Sequence, residues 1–233
     1  MNHHDLLRID RAEVLRYLGH TGQSLDDDLA RRFDDAVGAC EQNIRPRCIH
    51  ASFTLDPLRS DQNRVAVKDC DLLLEGCDIV HHLEGACGVV LMACTLGEAC
   101  DREIRRRVAT SPTDALLYDA AASALVEAAA DVEEERVVRE ATQRGLYTNF
   151  RYSPGYGDFP LSTQPALLAA LHACRRIGLV ATEEHLLVPS KSITALIGLF
   201  DDKPSGVPVR SKCADCTLKD CCSFQPKGRT CHV

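Results

Sequence analysis

From Ser111 to Gly145 the chain keeps one helical pattern for roughly 30 residues, and any compact fold must be arranged around a rod of that length. Its start is well marked. Ser111-Pro112-Thr113-Asp114 supplies a capping hydroxyl, a proline at the first helical position and an acid within the first turn. The middle, from Asp119 to Asp131, is more than half alanine, so that another backbone or a flat cofactor can lie close against it. Along this smooth surface Asp119, Ser123, Glu127, Asp131 and Glu135 recur every fourth residue and form one slowly winding polar row. The C-terminal half of that row reads as a solvated face, with Glu135 placed to pair with Arg139. Asp119 and Ser123, flanked by alanine and leucine, are harder to explain as surface.

The chain before the rod predicts an amphipathic helix over 10–19 and a second from Ser24 to about Asn43. Arg47 to Leu55 alternates strictly, with Ile49, Ala51, Phe53 and Leu55 on one face and His50, Ser52 and Thr54 on a wet face. A short strand over 64–68, a helical turn over 78–83 carrying surface histidines His81 and His82, and a strand buried on both faces over 88–94 follow. The next segment, to about Val108, is a charged helix with Asp101–Arg105 and Glu103–Arg107 pairs. Beyond the rod, one helix is expected from Ser162 to Gly178, then two strands, 184–188 and 192–199, joined at Pro189-Ser190-Lys191. A lysine on such a turn is by default a solvated edge residue. Alternating strands, one long helix and no strand-helix rhythm imply an α+β fold with a largely antiparallel sheet.

Between the rod and the next helix lies Arg151-Tyr152-Ser153-Pro154-Gly155-Tyr156-Gly157-Asp158-Phe159-Pro160. Two prolines and two glycines exclude regular helix or a central strand, yet three aromatics and an arginine are concentrated there. Such a loop is either a surface turn packed by its own aromatics or a ligand loop in which arginine meets a carboxylate or phosphate and tyrosine a flat ring or sulfonium.

A formal net charge of −7 argues against a nucleic-acid partner, and no run reaches membrane-spanning length, so a cytoplasmic protein is expected. Thirteen cysteines, an odd count, disfavour a fully paired disulfide framework. Eight, scattered among aliphatic runs, read as core filler. The other five, Cys213, Cys216, Cys221, Cys222 and Cys231, crowd into a tail that follows a linker beginning at Asp201. Their spacing suits a metal site, either zinc or an iron–sulfur cluster, and the tail's basic residues could dock an acidic redox carrier such as a flavodoxin. The chain therefore divides into a main domain, 1–203, and a cysteine-rich tail, 204–233.

The run Arg-x-x-Pro-Gly-Tyr, followed by a proline and a Ser/Thr-led helix, resembles the S-adenosylmethionine-binding loop of the activation domain of vitamin B12-dependent methionine synthase. Leu187-Val188-Pro189-Ser190-Lys191-Ser192 extends the likeness to the version of that domain found as a separate chain, over about Ile9 to Phe200. The resemblance implies a single curved, helmet-like domain that reactivates a corrinoid methionine synthase, with S-adenosylmethionine remethylating cob(II)alamin held by a partner module and a flavodoxin or ferredoxin supplying the electron. It implies that Arg151 meets the methionine carboxylate and that Tyr156 and the Pro154-Gly155 backbone meet the adenosyl portion, with Tyr152 also among the cofactor-binding residues. Asp119 would lie on the corrin side, with Lys191 facing the anionic edge of the ligands. No catalytic side chain is implied, because cobalt is the nucleophile. Ser123 departs from the acid of the family's helix, and Leu196 and Ile197 stand where the family has an aromatic lining the donor pocket. Two other readings are a reactivator of a different corrinoid methyltransferase, such as an O-demethylase, and a non-enzymatic, zinc-stapled binding protein.

Overall fold

The structure, a computed structural model, describes residues 7–204. The five tail cysteines and their expected metal lie outside the described residues. The rod is a single helix, α5 (Pro112–Gln143), of 32 residues, preceded in the chain by α1 (Arg11–Tyr17), α2 (Asp27–Asn43), α3 (Cys77–His82) and α4 (Glu98–Thr110). Ser111 caps α5 by accepting from the Asp114 N–H, and Arg32 of α2 reaches both Asp114 and the Ser111 hydroxyl. That cap joins two helices as well as starting one.

Six strands form one antiparallel sheet: β1 (Arg47–Asp61), β2 (Arg64–Val67), β3 (Leu73–Glu75), β4 (Gly88–Thr95), β5 (Tyr147–Thr148) and β8 (Ser192–Phe200), in the order β3-β2-β1-β4-β8-β5. A separate hairpin pairs β6 (Val180–Ala181) with β7 (Leu187–Val188). The architecture is mixed α+β with an antiparallel sheet, as expected from the sequence, the sheet curling into a half-barrel with the C-terminal half of the long helix packed on one face.

Side-chain alternation decides what each face of the sheet buries. On β4, Val90, Met92 and Cys94 pack with Ala195, Ile197 and Leu199 of β8 under the C-terminal half of α5, against Ala130, Val137 and Ala141. Val89, Leu91 and Ala93 point the other way and join Leu196 in a core closed by α3, by α6 (Gln164–Ala170), by α7 (Ala173–Ile177) and by Phe159. The N-terminal half of α5 uses its alanines against α1 and α2 in a third cluster.

Several local expectations are corrected. The helix expected over 162–178 is a 3-10 turn followed by α6 and α7, because His172 adopts a left-handed backbone (φ 52°) between them. Strand 184–188 shortens to two residues, and β3, β5 and β6, each of three residues or fewer, carry no periodic signal in sequence. Asp101 accepts from the Ser190 N–H and hydroxyl, both at 2.9 Å, instead of pairing with Arg105, whereas Glu103 does pair with Arg107. Of the pair read as surface, His81 is exposed and His82 is buried among Phe150 and Tyr152. The scattered cysteines divide likewise: Cys40, Cys94 and Cys100 are buried, but Cys77, Cys87 and Cys174 are exposed. Burial pushes the Cys40 and Cys100 thiols up to about 12, which leaves them inert at neutral pH.

Candidate functional site: a loop and a turn moored on the long helix

The polar row of α5 is an attachment seam. At its first two positions Asp119 accepts from Lys191 at 2.9 Å, and the Lys191 ammonium donates to the Ser123 hydroxyl, also at 2.9 Å. Lys191 is largely covered and is no solvated edge residue. Asp101 of α4 grips the preceding Ser190, so the 189–191 turn is held from two helices.

One turn further along, the row receives Arg151. Its Nη2 donates to Glu127 at 2.9 Å and its Nη1 to Glu134 at 2.6 Å and to Asp131. Glu134 also accepts from the Arg151 main-chain N–H at 3.0 Å, so it fixes both ends of the residue. The arginine side chain is only 10% exposed, against 56% for Asp131. Burial opposes the charge, but the three carboxylates outweigh it and raise the guanidinium pKa further. Glu127 and Asp131 of the row are thus engaged, while Glu135 at its end is exposed and pairs with Arg139 at 3.7 Å, as expected. Glu127 and Asp131 were legible only as members of the polar row, not as partners of Arg151, and Glu134 was not singled out at all. Their available signal was an excess of acids on α5 next to a lone arginine.

From Arg151 the loop crosses back to the sheet. Tyr152 exchanges main-chain hydrogen bonds with Leu196 (2.8 and 2.9 Å), and its ring lies against His82 and Phe159. Pro154 is buried, Gly155 takes φ +96° with its missing Cβ facing Leu161, and Tyr156 at the tip is 45% exposed. The far end is tied to α3: Asp158 accepts from the Cys77 and Asp78 N–H groups at 2.6 and 3.0 Å, and Asp78 accepts in return from the Asp158 N–H at 3.1 Å. Gly157 permits this approach, since a Cβ there would stand 1.9 Å from Asp78 Oδ2. Beside this junction lies an open hollow of about 470 Å3, lined by Asp61, Arg64, Glu75, Cys77 and Asp158 among others, on the α3 side of the loop and away from Arg151.

The structure therefore brings Asp119 to Lys191 on one stretch of α5 and Arg151 to the next, and it orders Tyr152, Pro154, Gly155 and Tyr156 into one anchored loop. Leu196 and Ile197, expected to line a donor pocket, are fully buried on opposite faces of β8 and contribute core. His50 does not lie on a wet face. Its ring nitrogens meet Glu133 (2.7 Å) and Glu140 (3.0 Å) of α5, an arrangement that satisfies an imidazolium, and these carboxylates, Glu133 foremost, raise its pKa. Among the described residues no group of three or more His, Cys, Asp and Glu could hold a metal ion, and no helix is long and apolar enough to cross a membrane.

This geometry defines a class: an α+β half-barrel whose long central helix anchors a Pro-Gly-Tyr loop. A solved structure of the same fold is the reactivation domain of MetH bound to AdoHcy, similar at a TM-score of 0.59 and 19% identity over 84% of this chain and 75% of that one. No family model matches the sequence, and no curated protein does.

Proposed function

We propose that this protein serves in the reactivation of a corrinoid methyltransferase, methionine synthase foremost, by holding S-adenosylmethionine against a corrinoid borne by a partner module. Support comes from the shared fold with the MetH reactivation domain and from the Arg-x-x-Pro-Gly-Tyr loop anchored on α5. The observation that carries the reading is the charge of the Arg151 cluster, in which one guanidinium faces three carboxylates. S-adenosylmethionine is its complement: one carboxylate for the guanidinium, and a sulfonium and an ammonium for the surplus of negative charge.

In this reading Arg151 takes the methionine carboxylate. Tyr156, exposed at the tip, offers a ring face to the adenosyl portion beside the Pro154-Gly155 backbone, while Tyr152 supports the loop from beneath. Asp119 and Lys191 stand on the corrin side, where their ion pair presents both a hydrogen-bond acceptor and a cation. When bound, the ligand supplies a methyl group to reduced cobalt on the partner, with the electron from a flavodoxin- or ferredoxin-like carrier. The protein's own contribution is to position and shield the reactants, and no side chain acts as a nucleophile. The thiols Cys213, Cys216, Cys221, Cys222 and Cys231 would bind zinc or an iron–sulfur cluster.

The test is anaerobic. The cob(II)alamin-loaded corrinoid module of a methionine synthase is mixed with S-adenosylmethionine and a low-potential reductant, and the visible spectrum is followed with and without this protein. Methylcobalamin formed only in its presence is the expected result. No methylation of that module, alongside methylation of an O-demethylase corrinoid protein, would move the proposal to the other partner.

A further inference from the structure

Arg151 is occupied before any ligand arrives, and its three partners are not equivalent. Glu134 is bound twice, through the guanidinium and through the main-chain N–H of Arg151, and is 22% exposed. Glu127 holds the other terminal nitrogen and is 33% exposed. Asp131 makes a single contact, from the shortest side chain, and is more than half exposed. Three carboxylates converging on one cation also repel each other. Asp131 stands closest to the guanidinium, but it is the only one of the three that is more than half exposed, so water can solvate its carboxylate once it lets go, whereas the buried Arg151 needs another anion in its place.

From this we infer that Asp131 is an internal competitor for the ligand's carboxylate: it masks Arg151 in the free protein and yields its place when the amino-acid end of the ligand docks, while Glu134 is the positioning residue that keeps the guanidinium in place during the exchange. No covalent bond changes. One carboxylate leaves Nη1 for water as another arrives. Asp131 thereby sets how strongly the site prefers a carboxylate-bearing ligand over the same cation without one. The inference rests on reading the loop as an S-adenosylmethionine site.

The test compares two ligands by calorimetry, S-adenosylmethionine and its decarboxylated analogue, which keeps the sulfonium and the amine. The ratio of their affinities reports the carboxylate–Arg151 contact, because the effect of removing an acid on the two shared cations largely cancels; relief of repulsion on the ligand's carboxylate is common to D131N and E134Q, so opposite changes in the two variants mark direct competition. D131N, with D131S as a second variant, is expected to raise that ratio by about two- to fivefold. E134Q should lower it and R151A should bring it close to one. An unchanged ratio in both Asp131 variants, with wild type binding S-adenosylmethionine, overturns the inference and leaves the proposed function standing. Failure of wild type and both Asp131 variants to bind either ligand overturns the donor site itself. Binding that appears only in the Asp131 variants supports masking directly.

Discussion

His50 shows how far one side chain can depart from its sequence neighbourhood. Strand alternation correctly put it on the face opposite Ile49, but that face is roofed by α5, and its two ring nitrogens end against two acids of that helix. Because its folded pKa lies above the ordinary value near 6.5, the contact is fully stabilising below that pH and is lost as pH rises through the shifted pKa, leaving Glu133 buried beside a neutral ring. Melting temperature should therefore decline as pH rises above about 6.5, and H50Q should remove that component of the slope; NMR titration of the ring provides the direct check, and an unshifted pKa would refute it. Gly157 makes a second prediction at this scale. Its φ of +54° and the Asp78 carboxylate at the Cβ position mean that G157A should cost about 1 to 3 kcal/mol in urea unfolding and loosen the loop. Arg151 was legible as a cation destined for a carboxylate, but which carboxylates it meets depends on packing between residues 17 to 24 positions apart.

At the scale of elements, what could be read was whatever is encoded locally. The cap at Ser111, the alternation of β1 and the double burial of β4 each follow from a pattern within a few residues, and each appears in the fold. The break in the helix at His172 has no such code, since a left-handed histidine is set by its surroundings, and two-residue strands exist only because a neighbour's backbone is there to pair with. Buried polar rivets hold these elements in register. Asn149 donates to the His82 carbonyl and accepts from the Gly198 N–H, both at 2.7 Å, joining α3 and β8 at the root of the loop. N149A would orphan both partners in a buried setting, and we expect a loss of about 2 to 4 kcal/mol by chemical denaturation, with weaker ligand binding as the loop's base relaxes. Retention of wild-type stability would show that the rivet is dispensable. Gln164 with Thr194, at 2.6 Å, plays the corresponding part between α6 and β8.

For the whole molecule, one long helix organises both halves of the account. Its N-terminal alanines seat α1 and α2, its C-terminal apolar face covers the sheet, and its polar row moors the turn at Lys191 and the loop at Arg151. The α+β class was legible because strand and helix periods differ, whereas strand order required long-range pairing that no local pattern specifies. The tail is an independent matter of composition: protein purified anaerobically should carry about one metal site that disappears on truncation after residue 204, with a brown 400 nm shoulder for an iron–sulfur cluster and no colour for zinc; equal metal content in the two chains would place the metal elsewhere. The central claim is that the Arg151 loop is a seat for S-adenosylmethionine. A crystal structure of the protein with that ligand tests it most directly. The account predicts the methionine carboxylate on the Arg151 guanidinium, with Asp131 displaced and the adenosine against Tyr156. A ligand bound elsewhere, with Arg151 still held by all three acids, would contradict it.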